Sequence, residues 1–256
     1  MKPPSISVIM PAKNASGFIA DALRSIVLQD HPLEEVLIID DHCDDDTMDI
    51  VASFKAALPQ IRVLKGPGRG PGPARNIALE EAKGEVIAFL DADDLWPEGK
   101  LECQMARIIR EPRADVVAGR VRWFETQSSV GLVPDAKSRM LDSLCVNLGA
   151  SLYRKEVFER IGRFDEDYVY SEDLDFFMRL RESDIPFVIL PRPTLFYRRH
   201  PQSMTFKYSD RERRDFGRAI TMSIVRRRRQ GRTSDLPPME SYVEAAAPGT
   251  RPGTPP

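Results

Sequence analysis

Four apolar runs alternate with helix-patterned segments through the first hundred residues, and this alternation restricts the fold more than any other feature of the chain. The runs cover residues 5–10, 35–39, 61–64 and 86–90. Between them, Phe18, Ala22 and Ile26 recur at helical spacing within 17–29, and a second helix is expected from Thr47 to about Ala57. A third is expected to open at Pro73, a residue suited to the first turn, and to carry Arg75 and Asn76. Strands joined through helices pair in parallel, with right-handed crossovers that cover both faces of the sheet. The chain is therefore expected to be α/β, with a mostly parallel sheet flanked by helices. The run from Val86 to Leu90 is unbroken and rich in β-branched and aromatic residues, the pattern of a strand buried on both faces.

The second half keeps the α/β character with less regularity. Residues 101–110 read as a helix, 115–124 as a long strand, 125–142 as a loop, 147–153 as a strand, 155–161 as a short helix and 162–166 as a turn. A helix is expected over 171–181 with Leu174, Phe177 and Met178 on one face, followed by two strands at 185–190 and 194–199. Between Arg211 and Arg232 nine arginines face two acids, Glu212 and Asp215, and Phe216, Ile220 and Ile224 repeat every fourth residue. This predicts a basic amphipathic helix, which either lies on a membrane surface or packs on the body with its arginines solvated. Residues 233–256, rich in proline and alanine, are expected to form a disordered tail. One domain over 1–232 accounts for the rest.

Composition removes several classes. An apolar content of 42% supports a sizeable core, and a net charge of −2 argues against a general nucleic-acid binder. Cys43, Cys103 and Cys145 are odd in number and include no Cys-x-x-Cys pair, which excludes a disulfide framework or a zinc ribbon and fits a reducing compartment. The opening run is too short for a signal sequence, and no later stretch approaches the ~20 apolar residues of a membrane span, so a cytoplasmic protein is expected.

The chemistry gathers at strand ends. In open α/β sheets ligands lie beyond the carboxyl ends of the strands, and the fourth strand runs directly into Asp91-Ala92-Asp93-Asp94. Carboxylates this close repel one another unless a cation joins them, and hard oxygen ligands suit Mg or Mn. The alternative is an acidic turn that caps the next helix through Asp93 or Asp94, ahead of Pro97. The first strand ends in Pro11-Ala12-Lys13-Asn14 and the second in Asp40-Asp41-His42-Cys43. A nucleoside diphosphate would occupy all three loops: Asp40 or Asp41 can accept from a base N–H or a ribose hydroxyl, and Arg75 can add positive charge. The glycines of 66–72 either admit a ligand close to the backbone or form a simple turn, and no Lys-Ser or Lys-Thr follows them, which excludes a Walker loop.

Taken in order, Pro11-Ala12-Lys13-Asn14, Asp40-Asp41-x-x-x-Asp45-x-Thr47, Gly70-x-x-x-Ala74-Arg75-Asn76, Asp91-Ala92-Asp93-Asp94, Gly162-x-Phe164-Asp165-Glu166 and Glu172-Asp173-Leu174-Asp175 resemble the family 2 glycosyltransferases over about residues 5–206. The resemblance implies the GT-A fold, a Rossmann-like mostly parallel sheet with a nucleotide-binding half over about 1–100, an acceptor half over 101–206 and the basic helix over 207–232. It implies an inverting transfer from a nucleotide-diphosphate sugar, with a divalent cation, to a hydroxyl of a carbohydrate, lipid-linked or other acceptor in polysaccharide, glycolipid or other glycoconjugate synthesis. Pro11, Ala12 and Asn14 would line the donor, Asp40 and Asp41 would meet the base, Arg75 the nucleotide, and Asp91 with Ala92 the ribose side. Asp93 would hold the metal, and His200, in a late loop, would supply a second ligand or a diphosphate contact. Glu172-Asp173 would contain the base, with Asp173 the residue chosen. An inverting transfer needs a carboxylate on the face of the sugar opposite the leaving group, and the dipole of the helix after Ser171 favours the ionised form. Glu172 and Asp173 are otherwise ordinary acids of a helix N-terminus.

Lys13 stands where an aromatic residue commonly stacks on the base, and His42-Cys43 replaces the usual Gly-Ser, so the donor is not restricted to a uridine nucleotide. Trp96 and Trp123 are read as core or loop anchors. Two further functions share the same sheet. A nucleotidyltransferase would need a glycine-rich, lysine-containing loop after the first strand, where residues 11–16 offer none. A sugar-nucleotide-binding protein without turnover would keep the donor motifs alone. The predicted partners are a nucleotide sugar and a hydroxyl acceptor, without nucleic acid, and with peripheral contact at the inner membrane face through the basic helix as the further option.

Overall fold

The computed structural model describes residues 3–111, 113–125, 141–145, 147–204, 210–232 and 235–244. Strands β1 (Ile6–Ala12), β2 (Glu35–Asp40), β3 (Ile61–Lys65) and β4 (Val86–Phe89) alternate with helices α1 (Ile19–Val27), α2 (Thr47–Ser53) and α3 (Pro71–Glu81). After α4 (Lys100–Arg110) come β5 (Val116–Glu125), β6 (Leu141–Ser143), β7 (Leu152–Arg154), α5 (Glu156–Ile161), α6 (Glu172–Glu182), β8 (Phe187–Arg199) and α7 (Asp210–Arg229). The sheet order is β3-β2-β1-β4-β7-β5-β6, with β8 paired to β5.

Strand direction decides where the loops open. β1 is parallel to β2 and β4, while β7 is antiparallel to both β4 and β5. Two reversals return β5 to the direction of β4, and β8 runs parallel to β5. The carboxyl ends of β1, β2, β4, β5 and β8 therefore share one edge. Helices cover both faces: Ile19, Ala22, Leu23 and Ile26 of α1 and Leu101, Met105 and Ile108 of α4 pack on one, and Ala74 and Ala78 of α3, Val157 of α5 and Phe176 and Leu180 of α6 on the other. On the second face Phe89, Tyr153, Phe158, Phe164 and Phe176 form a contiguous aromatic cluster.

Several boundaries differ from the sequence reading for identifiable reasons. α3 begins at Pro71, with Gly70 ahead of it at φ +102°, so the end of the glycine-proline loop is already helical. The segment expected as a strand over 147–153 opens with a 3-10 turn at Leu148–Ala150, because the Asn147 side chain accepts the Gly149 N–H at 2.8 Å. Of the loop expected over 125–142, Leu141 and Asp142 belong to β6, and 126–140 lie outside the described residues. The two strands expected around Pro191 and Pro193 are one strand, β8, whose only strand partner among the described residues is β5. Irregular register at Ala118–Val121 accommodates the prolines on this outer strand.

The packed face of α6 is formed by Phe176, Phe177 and Leu180, while Leu174 and Met178 are half-buried. α7 buries Asp215, Ala219 and Ser223 and leaves Phe216 55% exposed, so the apolar repeat seen in the sequence is not the face that meets the body. Part of the expected disordered tail is docked: Tyr242 stacks on Phe187 at 3.9 Å, and the Glu244 N–H bonds to Ile189 O at 2.9 Å. Residues 233, 234 and 245–256 lie outside the described residues.

Candidate active site

The acidic loop after β4 does not cap a helix. α4 starts at Lys100, and Gly99, at φ +69°, occupies its N-cap. Each carboxylate instead has its own partner. Asp91 Oδ1 accepts from Arg75 Nη2 at 2.6 Å, Asp93 Oδ2 lies 3.0 Å from His200 Nε2, and Asp94 Oδ1 accepts the Arg198 N–H at 2.9 Å. Asp94 is 1% exposed, and burial together with the charges of Asp93 and Asp91 holds its carboxyl well above the ordinary range. Ala92 is buried between them. Leu95 bridges to Phe196 and so pins this loop to the end of β8, which carries His200 to Asp93.

His200 is buried, its ring lies 4.1 Å from that of Phe18, and its Nδ1 has no partner among the described residues. Beneath it Arg198 reaches Asp21 at 3.3 Å between the Phe18 and Phe124 rings. Arg198, the first residue of the Arg-x-His-x-x-Ser segment, thus ties α1, β8 and the acidic loop together. Asp93 and His200 are the pair that could hold a cation. Among the described residues no group of three or more His, Cys, Asp or Glu side chains gathers at one point, so further ligands would come from the substrate or water.

The second acidic motif meets the first through Arg75. Its guanidinium is 4% exposed and bonds to Glu172 Oε1 at 2.7 Å as well as to Asp91, with the Phe164 ring 5.7 Å away. Gly72 allows this approach, since a Cβ there would come within 3.2 Å of Glu172 Cγ. Burial and the neighbouring Asp173 charge push Glu172 up to about 7, against the pull of Arg75. Asp173 is raised by burial too, with Arg75 pulling it down and the Asp91 charge pushing it up. The two motifs thus lie within electrostatic reach of one another.

Two residues the sequence reading passed over hold this arrangement in place. Ser171 precedes the helix in the left-handed region at φ +64°, which turns the chain sharply into Glu172. Asp215 of α7 accepts the N–H groups of Val169 and Tyr170 at 3.2 and 3.1 Å, so α7 braces the segment that presents the acids. Asn76 bonds to both N and O of Phe164 and to Glu166, which gives it a structural task in fixing the Gly162-to-Glu166 turn.

The loops after β1 and β2 interlock. Pro11 and Ala12 end β1, and Ala12 O accepts the Asp41 N–H at 2.9 Å. Asn14, at φ +48°, accepts the Asp44 N–H, and Lys13 Nζ bonds to His42 O. Asp40 is buried with Lys65 Nζ at 2.6 Å and the Cys43 N–H at 2.9 Å; burial raises its carboxyl, and these bonds outweigh it to leave it below the usual range. Asp41 accepts from Gly68 N at 2.6 Å and Gly70 N at 3.1 Å, so it anchors the glycine loop, and any contact with a base is additional to that.

Residues 7–162 match the family model described as Glycosyl transferase family 2. The chain belongs to that family. Among its relatives, the Bacillus subtilis protein TuaG, a teichuronic acid biosynthesis glycosyltransferase, is 42% identical over 40% of this chain and 41% of its own. Escherichia coli WfgD, named as a UDP-Glc:α-D-GlcNAc-diphosphoundecaprenol β-1,3-glucosyltransferase, is 30% identical over 66% of each chain. The chain thus spans well under two thirds of TuaG. A crystal structure of Staphylococcus aureus TarS with UDP-GlcNAc covers 86% of this chain and 66% of its own at 25% identity and a TM-score of 0.69. Pyrobaculum calidifontis PcManGT, solved with GDP-Man and Mn2+, shares the fold at 18% identity and a TM-score of 0.66, over 93% of this chain and 67% of its own. The fold is therefore the GT-A fold of family 2 glycosyltransferases. The family match ends before Glu172, Asp173 and His200; of these, Glu172 bonds to Arg75 and His200 lies against Asp93, and both of those partners fall within the matched segment.

Proposed function

We propose that this family 2 member is an inverting glycosyltransferase that moves a sugar from a nucleotide-diphosphate sugar to an acceptor hydroxyl, with Asp173 as the base. The observation that supports this most directly is the double ion pair of Arg75, which joins the loop after β4 to the start of α6. Acids some eighty positions apart in the chain are thereby joined through one guanidinium. Pro11, Ala12, Asn14, Asp40, Asp41, Asp91 and Ala92 belong to the donor side, where Asp40 meets the base and Asp91 the ribose. The donor tested first is a uridine nucleotide sugar, as bound by TarS.

The acceptor oxygen attacks the anomeric carbon from the face opposite the diphosphate, and its proton passes to Asp173. Since Asp173 Oδ1 accepts the Leu174 N–H at 2.7 Å, the proton is assigned to Oδ2. The bond from the anomeric carbon to the diphosphate oxygen breaks, and its electron pair leaves with the diphosphate. Glu172 holds Arg75, and Arg75 in turn sets the charge beside Asp173. A carboxylate oxygen suits Mg or Mn and an imidazole nitrogen favours Mn of the two, and such a cation on Asp93 and His200 would stabilise the charge of the departing diphosphate. The acceptor is a hydroxyl on a polymer or lipid-linked glycan, the kinds named for TarS and WfgD. The three cysteines are free, in keeping with a cytoplasmic location, and no helix among the described residues is long and apolar enough to cross a membrane.

The test is Asp173→Asn assayed against a panel of nucleotide sugars with Mn. Transfer is expected to fall by about 10²–10⁴-fold, the usual worth of a general base, with nucleotide affinity retained. Undiminished transfer would remove Asp173 from the mechanism. Tight donor binding by the parent chain without turnover on any acceptor would favour a binding protein.

A further inference from the structure

We propose that the outward side of α7 is a docking surface for an anionic lipid bilayer. The helix is held to the body along one line, through Asp215, Ala219, Ser223 and Arg226, the last bonded to Asp175 and Glu182 of α6. Phe216, Ile220 and Ile224 follow Asp215, Ala219 and Ser223 by one residue each, so their stripe lies about a quarter-turn round the helix from the packed line. Phe216 is 55% and Ile224 36% exposed, and Ile220 is half-buried. On the outward side Arg228 follows Ile224 by one turn and Arg214 stands on the flank away from Phe216, while Arg229 lies on the opposite side of the helix from the stripe. All three are exposed and have no acidic partner among the described residues.

The combination selects the partner. Other arginines of the same helix are spent on ion pairs, as Arg218 is on Asp165 and Asp167 and Arg226 on Asp175 and Glu182. On the outward side of α7 the unpaired Arg214 and Arg228 share a surface with Ile224 and with Phe216, which is 55% exposed. A helix lying in a lipid interface needs both features: an apolar edge at the acyl boundary and arginines that extend along it to reach phosphate groups. A nucleic acid would use the arginines and leave Phe216 and Ile224 in water, and the net charge of −2 weighs against such a partner. Because Asp215 on the same helix holds the segment just ahead of Glu172, α7 connects a bilayer on its outward side to the segment that presents the proposed base. That consequence rests on the transferase reading; the surface itself does not.

The experiment is sedimentation of the full chain with vesicles of phosphatidylcholine mixed with phosphatidylglycerol, and with phosphatidylcholine alone. Binding to the mixed vesicles only, weakening as salt is raised, is expected. Arg214→Gln and Arg228→Gln should each weaken it about fivefold, Arg229→Gln on the far side should leave it unchanged, and the pair Phe216→Glu and Ile224→Glu should remove it. These side chains do not brace the body, so melting temperatures should match the parent, and the arginine variants remain decisive if an apolar one is unstable. Absence of binding to the mixed vesicles, binding indifferent to the Arg214 and Arg228 changes, or binding of single-stranded RNA in place of vesicles would overturn the proposal. A thermal shift with UDP and Mn on the same samples reports on the donor site, so failure on lipid and failure of the transferase reading give different results.

Discussion

Asp93 keeps 32% of its side chain exposed and faces a single imidazole, whereas Glu172 is 8% exposed and lies against a guanidinium with a second carboxylate beside it. The loop after β4 spreads its three acids toward three partners, Arg75, His200 and the Arg198 backbone. The start of α6 instead gathers two acids under one buried arginine. The difference separates the two halves of the proposed reaction. A spread set with two open members, Asp91 and Asp93, can accept a cation and a charged donor. A gathered, buried set binds its proton more tightly than an ordinary carboxylate, as a base for an alcohol should.

Removing the shared arginine should break the arrangement most severely. Arg75→Gln leaves Asp91 and Glu172 without their counter-ion, and loss of one partner from a buried pair costs about 3–5 kcal/mol. Transfer requires ionised Asp173, and because burial has raised that group, activity should already decline above the ordinary carboxylate range as pH falls. Arg75 is what pulls it down, so its loss should move the acid limb of kcat to higher pH, with Arg75→Lys in between. An unmoved limb in a folded Arg75→Gln protein would show that the gathered acids do not feel this charge.

A change confined to the spread set should be milder and of another kind. His200→Ala and Asp93→Asn should each raise the Mn concentration needed for activity by about 100-fold, since even outer partners of metal ligands are worth 10–100-fold. The acid limb should stay in place. Titrating Mn against the thermal shift given by UDP measures this directly, and a parent-like Mn dependence in both variants would separate these residues from any metal.

The two sets also differ in how far the sequence discloses them. β1, β2 and β4 are mainly apolar runs buried along nearly their whole length, and such runs declare themselves wherever a strand is covered on both faces. The acids at their ends are visible for the same reason. What the acids bond to is not, because Arg75 finds its partners 16 and 97 positions away and Asp215 braces a segment 45 residues before it. Local pattern also misleads where a distant partner decides. Pro191 and Pro193 read as a break, yet the outer position of β8 tolerates them. Pro237 and Pro238 read as tail, yet Tyr242 has Phe187 to stack on. The repeat of Phe216, Ile220 and Ile224 is real, and only the Asp215, Glu182 and Asp175 contacts reveal that α7 packs by its neighbouring line.

The smallest expected effect tests whether the spread acids are equivalent. Asp94 is the one member with no access to solvent, and its carboxyl stands well above the ordinary value of 3.8. A carboxyl raised in the folded state contributes fully below its unfolded value, and that contribution is lost as pH rises through the folded value. Asparagine cannot ionise, yet its side-chain oxygen can still accept the Arg198 N–H now held at 2.9 Å. Asp94→Asn should therefore melt with the parent near pH 4 and exceed it by about 2–4 °C at alkaline pH, the shift produced by ~1 kcal/mol in a chain of this size. If Asp94 were instead an ionised partner of the Arg198 guanidinium, the variant would lose stability as pH rises. The sign of that one melting difference thus decides whether Asp94 serves the cleft as a charge or, as its burial argues, as a neutral strut that leaves the ligand chemistry to Asp91 and Asp93.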